Sequence, residues 1–177
     1  GVGRAICREL ASAGADIALT YHRKRQGAEE AAHEIRAAGR KPLIGQVDMR
    51  DAAAVSAFAE RVRAELGGIH TAVYAAGPQL PLRFISKLDA LAFQQTVGAD
   101  IFGCYNLIAA TLPDLRASSG VQLAVGTPAV RRTVKSDVLS SAPKAAIDAL
   151  VRCVAAEEGR YGVRANCVGV GVISDGM

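Results

Sequence analysis

The sequence predicts an α/β fold, a doubly wound parallel sheet with helices on both faces. Three observations carry that expectation. Short apolar runs alternate with stretches of helical periodicity along the 177 residues. Runs such as Thr71-Ala-Val-Tyr-Ala75 and Val121-Gln-Leu-Ala-Val125 are too apolar to have a wet face, which suits strands buried on both sides. The apolar content is Ala, Val, Ile and Leu; only 5% of residues are aromatic and none is Trp, as expected of a sheet covered by Ala-rich helices.

The elements follow in order. Gly1-Val-Gly3 runs directly into a helix with Ile6, Leu10 and Ala13 on one face and Arg4, Arg8 and Ser12 on the other. Gly14 stops it as a C-terminal cap. Asp16 to Tyr21 is a strand, Gln26 to Ala38 a charged helix ending at Gly39, and Pro42 to Val47 the next strand. Asp51 is a good N-cap for a helix to Leu66 with Val55, Phe58 and Val62 inward, broken by Gly67-Gly68. A strand over Thr71–Ala75 leads to helical segments from Asp89 to Leu115, with Gly98 as a possible interruption. The last elements are the strand Val121–Val125, a helix from Ala142 to Tyr161 and the strand Arg164–Val168. Pro143 sets that helix start: inside a helix it removes the bond to residue 139, so the helix begins near Ala142 or kinks there.

The chain reads as one domain, 1–177, of a size that supports a single core. Its first helix has no strand ahead of it, and it stops at Met177 just past a loop. Both ends therefore read as cuts from a longer sequence, lacking the first strand and the C-terminal elements. A missing first strand would leave unpaired edges in mid-sheet.

The net charge of +4 has two local concentrations, His22–Arg25 and Arg131-Arg132 with Lys135. Without interleaved aromatics these do not make a nucleic-acid surface. No apolar run approaches the ~18 residues that a membrane span requires. Cys7, Cys104, Cys153 and Cys167 are far apart with no metal-ligand spacing, so they are expected as buried free thiols in a reducing cytoplasm, and no metal site is expected.

Five features recur in a telling order: Gly1-x-Gly3 at a helix start, Asp48 just past the strand Pro42–Val47 (the third of such a fold), Val73-Tyr-Ala-Ala-Gly77, Lys144 heading a long helix, and Val168-Gly-Val-Gly-Val-Ile173. Together, over essentially the whole chain, they resemble the short-chain dehydrogenase/reductase family, especially its ketoacyl-reductase-like members. The resemblance implies a Rossmann-type fold, a nicotinamide dinucleotide, a small-molecule substrate and a homo-oligomer built on the helices around Ala99–Leu112 and Ala145–Glu157.

It also implies roles. Gly1 and Gly3 would be the last two glycines of a diphosphate loop, where backbone N–H groups at a positive helix end meet the anion. Asp48 is similar to an aspartate that accepts from the adenine amino group; otherwise it is a solvated loop carboxylate. Ala76 and Gly77 match the end of an Asn-Asn-Ala-Gly turn, and Gly171 matches the glycine of a Pro-Gly turn. Ile173 would approach the nicotinamide amide, and Asp175 stands where a diphosphate-holding threonine is usual. A dinucleotide site that prefers NAD places an acid after the second strand of such a fold. Here Tyr21-His22-Arg23-Lys24-Arg25 has none, so NADP(H) is expected over NAD(H), with His22 and above all Arg23 at the 2′-phosphate.

The family's Asn, Ser and Tyr-x-x-x-Lys positions align with Asp100, Thr127, Ser140 and Lys144. Thr127 keeps a donor hydroxyl. Ser140 replaces a phenol near pKa ~10 by a far weaker acid, and losing a positioned general acid costs ~10²–10⁴-fold. Asp100 would pair with Lys144 or lie on the helix surface. Of the tyrosines, only Tyr74 points toward the cleft. Three readings follow: an NADP(H)-dependent oxidoreductase with an altered proton donor, a catalytically inactive dinucleotide-binding or subunit protein of the same fold, and a fragment that does neither because it cannot fold alone.

Overall fold

The computed structural model describes residues 1–77, 80–171 and 173. Strands and helices alternate as α1 (Val2–Ser12), β1 (Ile17–Tyr21), α2 (Arg25–Ala37), β2 (Pro42–Gln46), α3 (Ala52–Leu66) and β3 (Thr71–Tyr74). They continue as α4 (Ala90–Ser118), β4 (Val121–Gly126), α5 (Val138–Glu158) and β5 (Arg164–Gly169). The α/β class and the element order agree with the sequence.

All described strand pairs are parallel. Tyr21 of β1 lies opposite Gln46 of β2, while β4 runs between β3 and β5 with Tyr74 opposite Ala124 and Cys167 opposite Ala124 on the other side. The described strands therefore form two sheets, β1-β2 and β3-β4-β5. A cavity of about 720 Å³ is lined by residues of β1 and β3, by Ala31 of α2 and by Leu107 of α4. Among the described residues neither β1 nor β3 has a ladder partner on its second edge.

Local signals explain the helix ends. The Asp51 carboxylate accepts from the Ala53 and Ala54 N–H groups at 3.0 and 3.1 Å, and Asp89 caps α4 through Leu91 and Ala92. Gly67 ends α3 at φ +85°, a conformation that side chains disfavour.

Two helix expectations are corrected. Helix α4 runs unbroken through Gly98 and also contains Pro113. Helix α5 starts at Val138, four residues before the expected Ala142, and ends at Glu158 in a 3₁₀ turn over Gly159–Tyr161. Pro143 sits inside α5; only the bond from its own missing N–H to residue 139 is lost, and the first turn forms ahead of it. The thiol expectation is corrected in part: Cys104 is buried, Cys7 and Cys167 are half-buried, and Cys153 is exposed on the outer face of α5.

The main core packs Ile108 and Leu115 of α4 and Ile147 and Val151 of α5 against Ala72, Tyr74 and Ala124 of the sheet. Ion pairs tie the helices together at its margin. Arg63 of α3 bonds Asp114 of α4 at 2.7 Å, and Arg116 of α4 forms a two-pronged pair with Glu158 of α5 at 2.5 and 2.7 Å. The capping geometry sets an expected outcome: Asp51→Ala lowers stability by about 1 kcal/mol, read as a drop in the urea midpoint, while Asp51→Asn, which keeps an acceptor oxygen, costs a few tenths at most.

Candidate active site

Parallel pairing brings the C-terminal ends of the strands in each sheet to one edge, where ligands of open α/β sheets bind. The start of α1 lies against the end of β3: a Cβ on Gly3 would stand 3.8 Å from Cβ of Ala75. Lys144 of α5 reaches the same place, its Nζ donating to the Ala76 carbonyl at 3.3 Å. Gly3, Ala76 and Lys144 thus come together in space, as the sequence suggests.

Lys144 does not stand free. Its Nζ lies 3.0 Å from Oδ2 and 3.3 Å from Oδ1 of Asp100, and the two side chains are 13% and 2% exposed. Asp100 is therefore an interior ion-pair partner, and its alternative place on the helix surface is excluded. The Tyr74 hydroxyl donates to Asp100 Oδ1 at 3.0 Å, and the ammonium lies 5.4 Å from the Tyr74 ring centroid. Glycine at position 103 makes room for this: a Cβ there would come within 2.9 Å of the Tyr74 oxygen and 3.0 Å of Met49 Cβ.

Tyr74 is consequently no substitute acid. Burial, followed by the Asp100 carboxylate, pushes its hydroxyl far above the ordinary tyrosine value. Cys104, one turn after Asp100 on α4, is pushed up to about 12, chiefly by burial. From the sequence Tyr74 is marked only as the tyrosine facing the cleft, and Gly103 is given no role. The spacing of Asp100 and Gly103 on one helix face, opposite a strand that ends in Tyr74, is the signal that points to them.

Thr127 follows β4 and caps the next turn: its Oγ1 accepts from the Ala129 N–H at 3.2 Å, so its own proton remains free to donate. A cavity of about 160 Å³ is lined by Thr127, Lys144, Cys167, Arg131 and Asp148, among others. Ser140 belongs elsewhere. It lies in the first turn of α5, where its backbone N–H donates to the Asp137 carbonyl at 3.0 Å, and burial raises the Asp137 carboxyl. Because α5 begins at Val138, Ser140 and Lys144 do keep the i, i+4 helical spacing.

The larger cavity is mainly apolar and lies between β1 and β3, whereas Thr127 and Lys144 line the smaller one.

The residues fit a dinucleotide. Helix α1 opens on Gly1 with no side-chain cap and no acid in its first turn, which leaves its leading N–H groups available to an anion. His22 and Arg23 are exposed after β1, and His22 Nε2 lies 3.8 Å from Asp48 Oδ2. Asp48 is not merely solvated. Arg50 bonds it through side chain and backbone, at 2.6 Å for the shortest contact, and holds its carboxyl well below the usual range. Gly77, Gly171 and Ile173 are exposed in loops after β3 and β5, and Asp175 lies outside the described residues. Among the described residues no cluster of metal ligands occurs and no helix is long and apolar enough to cross a membrane.

The family model described as short chain dehydrogenase matches residues 1–177. The chain belongs to that family. Among curated relatives, 2,3-dihydro-2,3-dihydroxybenzoate dehydrogenase of Bacillus subtilis is 30% identical over 97% of the chain. The Staphylococcus aureus 3-oxoacyl-(acyl-carrier-protein) reductase FabG is 27% identical over the whole chain. The chain spans 65% of the length of the first and 72% of the second. Among solved structures, NAD+-bound xylitol dehydrogenase superposes with a TM-score of 0.93 at 22% identity, covering 99% of this chain and 67% of that one. An alcohol dehydrogenase from Thermococcus sibiricus, complexed with 5-hydroxy-NADP, gives 0.90 at 25% identity, covering 99% of this chain and 73% of that one. The short-chain dehydrogenase fold is thus shared along the chain, and both NAD and NADP occur among its neighbours.

Buried Tyr74 and Cys104 make this family member sensitive to alkali. Both groups titrate higher when folded than when unfolded, so their contribution is complete below the unfolded values, near 9 for the thiol. It is lost as pH rises through the folded values. Stability measured by urea unfolding therefore falls steadily above pH 9, and Tyr74→Phe combined with Cys104→Ala flattens that fall.

Proposed function

We propose that this chain is the dinucleotide-binding part of an NADP(H)-dependent oxidoreductase. Its reaction is hydride exchange with a carbonyl or activated C=C of a small or acyl substrate, with an altered proton donor. The observation that carries this is the shared cavity of Thr127 and Lys144 beside the Ala76 carbonyl, at the edge where the α1 N–H groups lie open. A bound nicotinamide dinucleotide supplies the hydride.

The protein supplies binding and orientation. Gly1 and Gly3 at the start of α1 receive the diphosphate, and His22 and Arg23 receive the 2′-phosphate. Asp48, Ala76, Gly77, Gly171 and Ile173 frame the rest. The Lys144 ammonium has three N–H bonds; Asp100 and Ala76 engage two, and the third is directed at a ribose hydroxyl. Thr127, whose oxygen already accepts from Ala129, donates to a substrate oxygen. Ser140, an aliphatic hydroxyl that does not line the small cavity with Thr127 and Lys144, does not replace the missing phenol. Hydride acceptors that need little help from a general acid, such as conjugated C=C bonds, suit this arrangement better than simple ketones.

The same Asp100–Lys144 pair favours a second reading, a catalytically inactive dinucleotide-binding or subunit protein, because the ammonium's charge is already matched. Assembly as a homo-oligomer through α4 and α5 is part of the proposal, supported by exposed Phe102 and Tyr105 on α4. A cytoplasmic location fits the four unpaired thiols.

In a fluorescence titration NADPH binds about tenfold more tightly than NADH, the weight of one charge-assisted contact. Arg23→Ala removes that preference while leaving NADH affinity in place; equal loss for both cofactors contradicts it. Ser140→Tyr leaves simple-ketone reduction unchanged or raises it. Ordinary ketone turnover by the unaltered protein overturns the reading of Ser140, and binding without turnover on any carbonyl or conjugated acyl substrate selects the second reading.

A further inference from the structure

We propose that Tyr74 is a positioning residue for Lys144 that acts through Asp100. The proposal rests on the reading above for its functional consequence, since Lys144 is there assigned to the cofactor, but its structural content stands alone.

Three elements meet at this point. Tyr74 ends β3, Asp100 lies within α4, and Lys144 lies in the second turn of α5. A carboxylate on a helix has a rotatable side chain, and an ammonium partner alone does not fix which oxygen faces which donor. Here Oδ1 receives the Tyr74 O–H at 3.0 Å, and that bond orients the carboxylate plane so that both oxygens lie within 3.3 Å of Nζ. The ammonium is thereby drawn to one point, from which it also reaches the Ala76 carbonyl. Losing the phenol oxygen would leave Oδ1 with one donor fewer in a nearly water-free place and allow the carboxylate to turn.

Two further features mark the phenol as built in. Gly103, one turn after Asp100 on α4, is the residue whose Cβ would strike the Tyr74 oxygen. The hydroxyl is also held protonated by burial and by the carboxylate, so it remains a donor to Asp100 across the working pH range. The groups that face the cluster are Cys104 of α4, whose thiol is likewise held neutral by burial, and Met49 beside Gly103. Tyr74 therefore donates inward, to Asp100, and not to a substrate.

The test is a double-mutant cycle on the whole chain, using Tyr74→Phe, Asp100→Asn and both together. The first readout is the rate at which an amine-directed acylating reagent labels Lys144, measured by peptide mass spectrometry, with Lys41 and Lys135 as controls. Tyr74→Phe is expected to speed labelling of Lys144 roughly tenfold, the weight of one hydrogen bond to a charged group, and to leave the controls unchanged. Asp100→Asn speeds it at least as much, and adding Tyr74→Phe to Asp100→Asn changes nothing further. An unchanged Lys144 rate in Tyr74→Phe, or effects that simply add in the double variant, overturns the proposal. So does a rise in all lysine rates together, which marks general loosening.

The second readout is NADPH affinity of the same four proteins. It is expected to follow the labelling series, with the double variant equal to Asp100→Asn. If no protein of the series binds NADPH while the labelling series holds, the cofactor reading fails and the positioning role stands.

Discussion

The ion pair between Lys144 and Asp100 is the constraint on which the rest of the site depends. Two nearly buried charges are tolerated only when matched to each other and to further hydrogen bonds, because an unpaired charge in such a place is strongly destabilising. The match here is close to complete: Asp100 has Lys144 and Tyr74, and Lys144 has Asp100 and Ala76. Each partner comes from a different element, so the pair also fixes how β3, α4 and α5 meet. Gly103 belongs to the same requirement, since α4 approaches β3 closely enough for the Tyr74–Asp100 bond only without a side chain there.

That closure has a chemical consequence. An ammonium beside a hydroxyl assists proton release by its field, and a carboxylate 3.0 Å away offsets most of that field. What Lys144 retains is direction, a donor pointed by its neighbours, and this serves ligand binding more than acid catalysis. Thr127 is in a similar position, with its oxygen committed to Ala129 and its proton left over. The site thus keeps hydrogen-bond donors and gives up an ionisable one.

Much of this was legible in the sequence. Alternating apolar runs and capping residues such as Asp51 and Asp89 report local physics, and the elements they mark are present. The Asp100–Lys144 pairing was legible because opposite charges at matching positions of a familiar frame have few other places to go. What escaped was set by tertiary contact. Pro143 reads locally as a helix start, yet α5 begins at Val138 because only a single hydrogen bond is forfeited at that point. Gly98 reads as a break, yet packing carries α4 through it, as it also does at Pro113. Asp48 reads as a free acceptor, but Arg50, two residues on, occupies it. Tyr74 reads as facing the cleft, but it is buried in the core and its hydroxyl donates to the Asp100 carboxylate.

The two cavities separate binding from packing. The large one lies along the edges of β1 and β3 that have no ladder partner among the described residues, and most of its walls are alanines, valines, leucines and isoleucines, with Arg4, Asp16, Lys24 and His70 also lining it. The small one is bounded by a hydroxyl with a free proton, a directed ammonium and the Arg131–Asp148 pair at 3.6 Å. About 160 Å³ is less than the usual size of a site that encloses a drug-sized ligand. A volume of that size suits the reacting end of a ligand and not a whole one. The recognition proposed for this site accordingly rests on a few directed hydrogen bonds at one end of a ligand, with Lys144 oriented by Asp100 and Ala76.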